Sequence, residues 1–161
     1  MMANLSSTFS LTTRSDREIV ITRMFDAPRE LVFKAISSCE HLSRWLGPRD
    51  LTMTHCEMDF RPGGKYRYVH RSADGAEYGF RGDIREIVPP EKIVQTFEFE
   101  GMPGHISEET LTLEELGGKT RWTVVSRYPS VEDREGVIQS GMEAGVRDSY
   151  DRLEEYLGGM S

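Results

Sequence analysis

The sequence lacks the long apolar runs by which proteins enter membranes. Its longest uninterrupted aliphatic run is Ile19-Val20-Ile21, whereas a transmembrane helix needs about 20 apolar residues. The first basic residue is Arg14, and a secretory signal peptide begins with a positively charged region. We therefore expect no membrane insertion and a cytoplasmic location.

The motifs of metal binding and of nucleophilic catalysis are also missing. The four histidines form no spaced ligand pair, and neither Cys39 with His41 nor His55 with Cys56 has a spacing that suits zinc. The two cysteines could form one bridge at most, and in a reducing compartment we expect two free thiols. No Gly-x-Ser-x-Gly elbow or phosphate loop occurs, because the pair Gly63-Gly64 leads into no helix. These absences predict no metal, no cofactor and no catalytic residues.

One acid–base hypothesis stays open. His70 lies on an aromatic strand face, where Asp59 or Glu57 on the preceding strand could orient it as a general acid or base. A histidine with a purely structural role explains the same pattern, and we favour it. The sequence therefore favours a protein that is not an enzyme.

Basic patches are absent, although charge is abundant. The charged residues make up 29% of the chain, the net charge is −7, and residues 130–161 hold eight acidic and three basic residues. Neither a basic patch nor a basic amphipathic helix is present. This argues against nucleic acid or an anionic membrane as the main partner.

The composition is otherwise that of one globular domain. With 161 residues, of which 37% are hydrophobic, the chain can form a sizeable core. Residues 1–13 are rich in Ser and Thr and show no periodicity. We therefore expect a flexible tail over residues 1–13 and a single domain over residues 14–161.

A long amphipathic helix is predicted from Ser130 to about residue 157. Ser130 and Asp133 form an acidic capping box, and a glycine pair can end the helix after about 27 residues, or roughly 40 Å. One face carries a mainly apolar stripe at helical spacing: Ile138, Met142, Val146, Ser149, Leu153, Tyr156 and Leu157. Gly136, Gly141 and Gly145 each cost this helix about 1 kcal/mol. Either close packing against a sheet or a roof over an unfilled space explains them.

The rest of the chain alternates between strand patterns and turn signals. A strand over residues 17–25 is followed by a helix that opens with Asp26 and Pro28, and by a short helix over residues 40–45. Six further strands are predicted over residues 51–60, 65–71, 78–88, 93–99, 109–116 and 120–128. This order predicts an α+β fold in which the last helix packs on an antiparallel sheet.

The predicted inner strand faces mix aromatic residues with isolated polar ones. They are Tyr66, Tyr68 and His70 on one strand, Ile93, Gln95, Phe97 and Phe99 on another, and Trp122, Val124, Ser126 and Tyr128 on a third. A ligand pocket is mainly apolar with a few polar groups, so the pattern favours a cavity. The alternative is a solid core whose tyrosine hydroxyls reach the rim.

Several motifs, taken together, resemble one superfamily. They are DAPRELVF at residues 26–33, WLGP at 45–48, RPGG at 61–64, EIVPPE at 86–91, SGMEAG at 140–145 and SYDRL at 149–153. On these residues the chain resembles the SRPBCC (START-like) superfamily over residues 17–157. Within it, the chain is similar to the group named for homology to the activator of heat-shock protein 90 ATPase.

The resemblance implies a helix-grip (START/Bet v-like) fold, in which a curved antiparallel sheet wraps around a long C-terminal helix and two short helices close one end. It also implies a cavity between helix and sheet, where relatives bind lipids, sterols, polyketides and other hydrophobic molecules and some perform cyclase or hydrolase chemistry. The chain departs from many relatives in having Leu46 in place of a second tryptophan. Its length also leaves no room for the separate chaperone-binding domain of eukaryotic co-chaperones.

The expected function is binding of a small hydrophobic molecule by a monomer or weak homodimer. A chaperone-associated interaction domain and a cavity enzyme of cyclase or hydrolase type are the alternatives. We expect the ligand to contact Trp45, Tyr66, Tyr68, His70, Phe80, Phe97, Trp122, Ser126, Ile138 and Met142.

Overall fold

The structure is a computed structural model that describes residues 5–160. Its strands are β1 (Ser10–Ser15), β2 (Glu18–Phe25), β3 (Leu51–Met58), β4 (Lys65–Ser72), β5 (Glu77–Val88), β6 (Lys92–Phe99), β7 (Ser107–Leu116) and β8 (Lys119–Arg127). Its helices are α1 (Arg29–Ala35), α2 (Cys39–Trp45), α3 (Val131–Gln139) and α4 (Met142–Gly158), with a short 3₁₀ turn at Ser6–Thr8.

The strands form one sheet in the order β1-β2-β8-β7-β6-β5-β4-β3, and every neighbouring pair is antiparallel. Chain neighbours pair as hairpins from β3 to β8, and β2 then closes against β8. The sheet curves around the C-terminal helix, as the helix-grip fold requires. The predicted α+β architecture is confirmed.

Strand β2 shows how alternation directs side chains inward. Ile19, Ile21, Arg23 and Phe25 are buried, whereas the residues between them are half-buried. Arg23 donates a hydrogen bond from Nη1 to the carbonyl oxygen of Tyr150, 3.1 Å away, and its Nη2 pairs with a carboxylate of the same helix. This buried cation therefore fixes α4 against the sheet.

The solid part of the core lies at one end of the sheet. Phe25, Val32, Ala35 and Leu153 have no exposed surface there, and the indole Nε1 of Trp45 donates to the carbonyl oxygen of Ala35 at 2.9 Å. Strand β2 supplies Phe25, and helices α1 and α2 and the second half of α4 supply the others. The first half of α4 is left to cover a different region.

The expected flexible tail is wrong for residues 5–13. Strand β1 pairs with β2 from Ser10 onward, and Phe9 is buried with its ring centroid 6.0 Å from that of Tyr150. The guanidinium of Arg147 lies 4.2 Å from the same ring. The Ser- and Thr-rich pattern hid one aromatic anchor, and residues 1–4 of the predicted tail lie outside the described residues.

The predicted single helix from Ser130 is also wrong, because two helices occupy the segment. Its beginning is as predicted: the backbone N–H of Asp133 donates to Oγ of Ser130 at 3.0 Å. The break comes at Gly141, whose φ of +77° is left-handed and cannot continue a helix. The direction of the chain therefore changes, α3 has no buried residue, and Ile138 is exposed.

The expectation of two free thiols is wrong as well. Cys39 and Cys56 form a disulfide, with their Cα atoms 5.8 Å apart. Cys39 begins α2 and Cys56 lies within β3, so the bond joins a short helix to the sheet. A sequence separation of 17 residues gives no indication that the two elements lie side by side.

Candidate functional site

A cavity of about 840 Å³ lies between the sheet, α3 and the first half of α4. Small-molecule sites commonly have volumes of about 300–1,000 Å³. Met142 and Val146 of α4 line it, whereas Leu153 and Leu157 belong to the solid core. The first half of α4 therefore forms part of a roof over the cavity, and its second half belongs to the core.

The structure brings most of the predicted contact residues to this cavity. Eight of them line it: Trp45, Tyr66, Tyr68, Phe80, Phe97, Trp122, Ser126 and Met142. Two are not among its lining residues. Ile138 is exposed on α3 because the helix changes direction at Gly141, and His70 lies behind the aromatic wall.

His70 is packed under the loop between α2 and β3. A Cβ on Gly47 would lie 2.5 Å from its Cε1, and its ring donates a hydrogen bond to the carbonyl oxygen of Leu46. Burial and the nearby charge of Arg152 lower the pKa of His70, although the bond to Leu46 opposes them. Nε2 has no hydrogen-bond partner within the described part of the chain.

The hypothesis of a carboxylate-oriented His70 does not fit this geometry. Asp59 accepts a hydrogen bond from Nε of Arg61 at 2.8 Å, and Oε1 of Glu57 lies 3.2 Å from Nε2 of His55. Neither carboxylate therefore reaches His70. The imidazole instead supports Tyr68, whose ring centroid is 5.2 Å away.

Aromatic rings line the cavity from the sheet and from α4. Three of them pack together on the sheet, where the Phe80 ring centroid lies 5.2 Å from that of Tyr68 and 5.4 Å from that of Phe97. Trp122 of β8 meets Tyr150 of α4, with their ring centroids 5.2 Å apart, and the indole Nε1 donates to the Tyr150 hydroxyl at 3.1 Å. The polar atoms of this pair are therefore satisfied, and the rings present a mainly apolar surface.

A polar row crosses the sheet in the middle of this aromatic surface. Gln95 of β6, Glu109 of β7 and Ser126 of β8 are register partners, and all three line the cavity. The Ser126 hydroxyl donates to Oε2 of Glu109 at 3.4 Å, and the Gln95 side chain also hydrogen-bonds to this carboxyl. A single carboxyl group is thus held among rings by two neutral partners.

Burial raises the pKa of Glu109, and the hydrogen bonds from Gln95 and Ser126 only partly offset this effect. The Glu109 side chain is half-buried, and the part of it that remains accessible faces the cavity. Burial raises the pKa of Tyr128 to about 12, with a further contribution from the Glu109 charge. The phenols around Glu109 therefore remain neutral.

The sequence prediction missed Glu109 among the site residues. The signal was present, because Ser107, Glu109 and Leu111 alternate along β7 and all line the cavity. The predicted strand began at Glu109, which left Ser107 out and placed the carboxylate at a strand end. Charged residues at strand ends usually face solvent.

The more exposed end of the cavity is formed by α3 and the loop between β6 and β7. Met102 in this loop lines the cavity and is 55% exposed. Nδ1 of His105 lies 2.8 Å from a carboxylate oxygen of Asp133, which joins the loop to α3. Arg134 donates to the carbonyl oxygen of Ser15, which joins α3 to β1. These polar contacts, together with the packing of the partly buried Val137, hold α3 over the cavity.

Over residues 5–160, no group of three or more His, Cys, Asp or Glu side chains is arranged to hold a metal ion. Within the same range, no helix is long and apolar enough to cross a membrane.

Comparison with known proteins places this geometry in a family. Residues 26–158 match the family described as Activator of Hsp90 ATPase homolog 1-like protein. No curated protein matches the chain at a significant level.

Solved structures of bacterial proteins have the same fold. A crystal structure from Rhodobacter sphaeroides is 25% identical, with a TM-score of 0.88 over 94% of this chain and 99% of that one. A solution structure from Arthrobacter aurescens is 25% identical, with a TM-score of 0.83 over 94% and 92%. A crystal structure from Nitrosomonas europaea is 20% identical, with a TM-score of 0.82 over 91% and 97%, and shows the fold alone.

Proposed function

The chain belongs to the family of Activator of Hsp90 ATPase homolog 1-like proteins, and from that premise we propose that it binds a small hydrophobic molecule in the cavity between its sheet and α4. The observation that carries this proposal is the cavity of about 840 Å³ with aromatic walls. A ligand bound there would remove apolar surface from water, and each Å² so buried contributes about 25 cal/mol of favourable free energy.

The proposed contacts come from the sheet and from α4. Tyr68, Phe80 and Phe97 contribute aromatic rings from the sheet, and Met142 contributes a flexible side chain from α4. Rings and thioethers adapt to varied apolar shapes and give few directional bonds. This composition supports binding of a bulky apolar body.

Binding is favoured over turnover by how the polar groups are used. The Tyr66 hydroxyl donates to the carbonyl oxygen of Thr96 at 2.5 Å, and the Tyr150 hydroxyl accepts from Trp122. His70, which a catalytic role would require in the cavity, supports the wall from behind. These groups maintain the shape of the site.

Met142→Trp tests the proposal because Met142 lies where the cavity meets the start of α4. A ring added to a solid core costs about 1–3 kcal/mol, whereas a ring added to a void gains buried surface. We expect the variant to melt at or above the wild-type temperature and to bind the neutral fluorophore N-phenyl-naphthylamine about tenfold more weakly.

Ala144→Trp is the matched control, because Ala144 lies on the exposed face of the same helix. This variant should bind the fluorophore as the wild type does. A wild type that binds no fluorophore, together with a Met142→Trp variant that melts far lower, would mean that the site is ordinary core.

A chaperone-associated role is the second candidate, favoured by the family's name. The outer face of α4 is acidic, but its carboxylates are already paired: Glu143 bonds Arg147, while Asp148 and Glu155 bond Arg49. Paired charges are poorer docking groups than free ones. Saturable, several-fold stimulation of Hsp90 ATPase activity that is lost in Glu143→Lys would establish this role instead.

A further inference from the structure

The cavity wall carries an unusual selection of charges. Within the described part of the chain, its ionisable lining residues other than tyrosine are Glu57, His105, Glu109, Glu132 and Asp133, and none is Lys or Arg. Glu109 differs from the other four because Glu57, His105 and Glu132 lie at exposed positions and Asp133 is paired with His105. An anionic ligand such as a fatty acid would meet repulsion and find no cation in this wall.

The surroundings of Glu109 suit a cation instead. The side chains close enough to interact electrostatically with it are the phenols of Tyr66, Tyr68, Tyr128 and Tyr150. A positive charge over an aromatic face is attracted by the ring, and most strongly when it is desolvated. A carboxylate at the same place adds a counter-ion in a region of low dielectric.

We propose that the ligand is a lipophilic organic cation, a substituted ammonium on an apolar body, and that Glu109 is its counter-ion. This rests on the proposed function, since it assigns a charge to the molecule that the cavity holds. Gln95 and Ser126 position the carboxylate by hydrogen bonding to it from the two neighbouring strands. The tyrosine faces enclose the ammonium, and the remaining apolar volume takes its hydrocarbon part.

The proposal also sets the direction of a pH effect. Because burial raises the pKa of Glu109, the empty protein takes up a proton there at a higher pH than an exposed glutamate would, and it then loses the counter-ion. Binding of a cation with fixed charge should therefore weaken as the pH falls. The neighbouring phenols stay neutral, and the other ionisable side chains that line the cavity are His105, Asp133, Glu132 and Glu57.

The test compares three probes with the same hydrocarbon chain, namely decyltrimethylammonium, decanol and decanoate. Each displaces N-phenyl-naphthylamine from the full-length protein below its micelle-forming concentration. We expect the ammonium to bind at least about tenfold more tightly than decanol, and decanoate to bind more weakly than either. Equal binding of all three, or preference for decanoate, would overturn the cation assignment.

Glu109→Gln removes the charge and keeps the shape. The ammonium should lose about tenfold in affinity and its pH dependence, while decanol binds as in the wild type. Glu108→Gln is the control, because Glu108 is the preceding residue of the same strand and faces solvent. This control should retain the ammonium preference. Should Glu109→Gln fail to fold, the ranking of the three probes on the wild type decides the question by itself.

The probes distinguish a failure of the cation assignment from a failure of the proposed function. If decanol and the fluorophore bind but the ammonium has no advantage, the cavity is a hydrophobic site without charge selection. If neither neutral compound binds, the proposed function itself is overturned.

Discussion

Glu109 is the residue at which the cavity's function and the protein's stability conflict. Burial raises its pKa in the folded state above the ordinary value of 4.5, so ionisation favours the unfolded chain. The contribution of Glu109 to the stability of the empty protein is therefore complete below pH 4.5, and it is lost as the pH rises through the folded-state pKa of Glu109. A ligand cation would restore it.

We expect Glu109→Gln to stabilise the empty protein at pH 8, because the neutral amide replaces a buried charge, by about 1.4 kcal/mol for each unit by which the folded-state pKa of Glu109 exceeds its unfolded-state pKa. The difference should vanish near pH 4. Urea unfolding of both proteins at the two pH values measures it. The exposed substitution Glu108→Gln should change stability by less than about 0.5 kcal/mol, and a Glu109→Gln variant that is less stable at pH 8 would contradict the argument.

His70 titrates in the opposite sense. Burial and Arg152 lower its pKa below the ordinary value of 6.5, so the folded protein holds it neutral. Its contribution to stability is complete above pH 6.5 and is lost as the pH falls toward the folded-state pKa, by at most about 1.4 kcal/mol per pH unit.

His70→Phe should therefore cost most at pH 7.5 and least at pH 5. The cost at pH 7.5 is about 1–3 kcal/mol, because the carbonyl of Leu46 loses its donor. Chemical denaturation across this range gives the difference curve, with exposed His55→Gln as the control. Parallel stability curves for wild type and His70→Phe would show that the pKa of His70 is the same in the folded and unfolded states, which would contradict this argument.

The sequence predicted the aromatic residues of the wall because each obeys the alternation of its own strand. The inward positions of Tyr66 and Tyr68 could be predicted from the local strand pattern alone. His70 follows the same alternation but lies behind the wall, and what determines its place is Gly47, which is 23 positions away in sequence. Whether an inward polar residue faces a ligand or a loop depends on such contacts between distant segments, which periodicity does not encode.

At the scale of elements, the decisive feature is the break between α3 and α4. Gly141 adopts a left-handed φ of +77°, whereas Gly136 lies within α3 in ordinary helical conformation. An added Cβ would meet no atom within 4 Å at either position. The two glycines therefore differ in backbone conformation and not in the room available for a side chain.

This contrast yields a matched pair of substitutions. Gly136→Ala should stabilise the protein by up to about 1 kcal/mol, because alanine is the better helix former. Gly141→Ala should destabilise it by about 1–2 kcal/mol, because a left-handed conformation strains a residue with a Cβ. Thermal melting of both variants measures the difference. Stabilisation by Gly141→Ala would mean that the segment tolerates one continuous helix.

The break could not be predicted from the apolar stripe alone. Ile138 and Met142 share a face at helical spacing, so the pattern runs smoothly through Gly141. In the structure Met142 lines the cavity while Ile138 is exposed. A glycine in the sequence is compatible with both a helical and a left-handed conformation, so its presence alone does not predict a break. Only the cavity beneath Gly141 favours the left-handed conformation there.

At the scale of the whole molecule, the sequence determined the architecture through its turns. Six strands between glycine- and proline-rich turns leave a meander as the simplest topology, and a final amphipathic helix must cover it. Two features at the edge strands β1 and β3 were not predicted, because both depend on contacts between segments that are distant in sequence. Phe9 anchors β1 through Tyr150, and the Cys39–Cys56 disulfide joins α2 to β3.

The disulfide matters because so much of the interior is cavity rather than core. It closes a loop with a sequence separation of 17 residues, for which constraint of the unfolded chain gives about 3 kcal/mol. We expect reduction with dithiothreitol to lower the melting temperature by about 6–12 °C, at roughly 2–4 °C per kcal/mol for a chain of this size. A variant with both Cys39→Ser and Cys56→Ser should melt like the reduced wild type and be insensitive to reductant. If reduction leaves the wild-type melting temperature unchanged, α2 is held to β3 by packing alone, and Leu42 and Trp45 suffice to keep that side of the cavity in place.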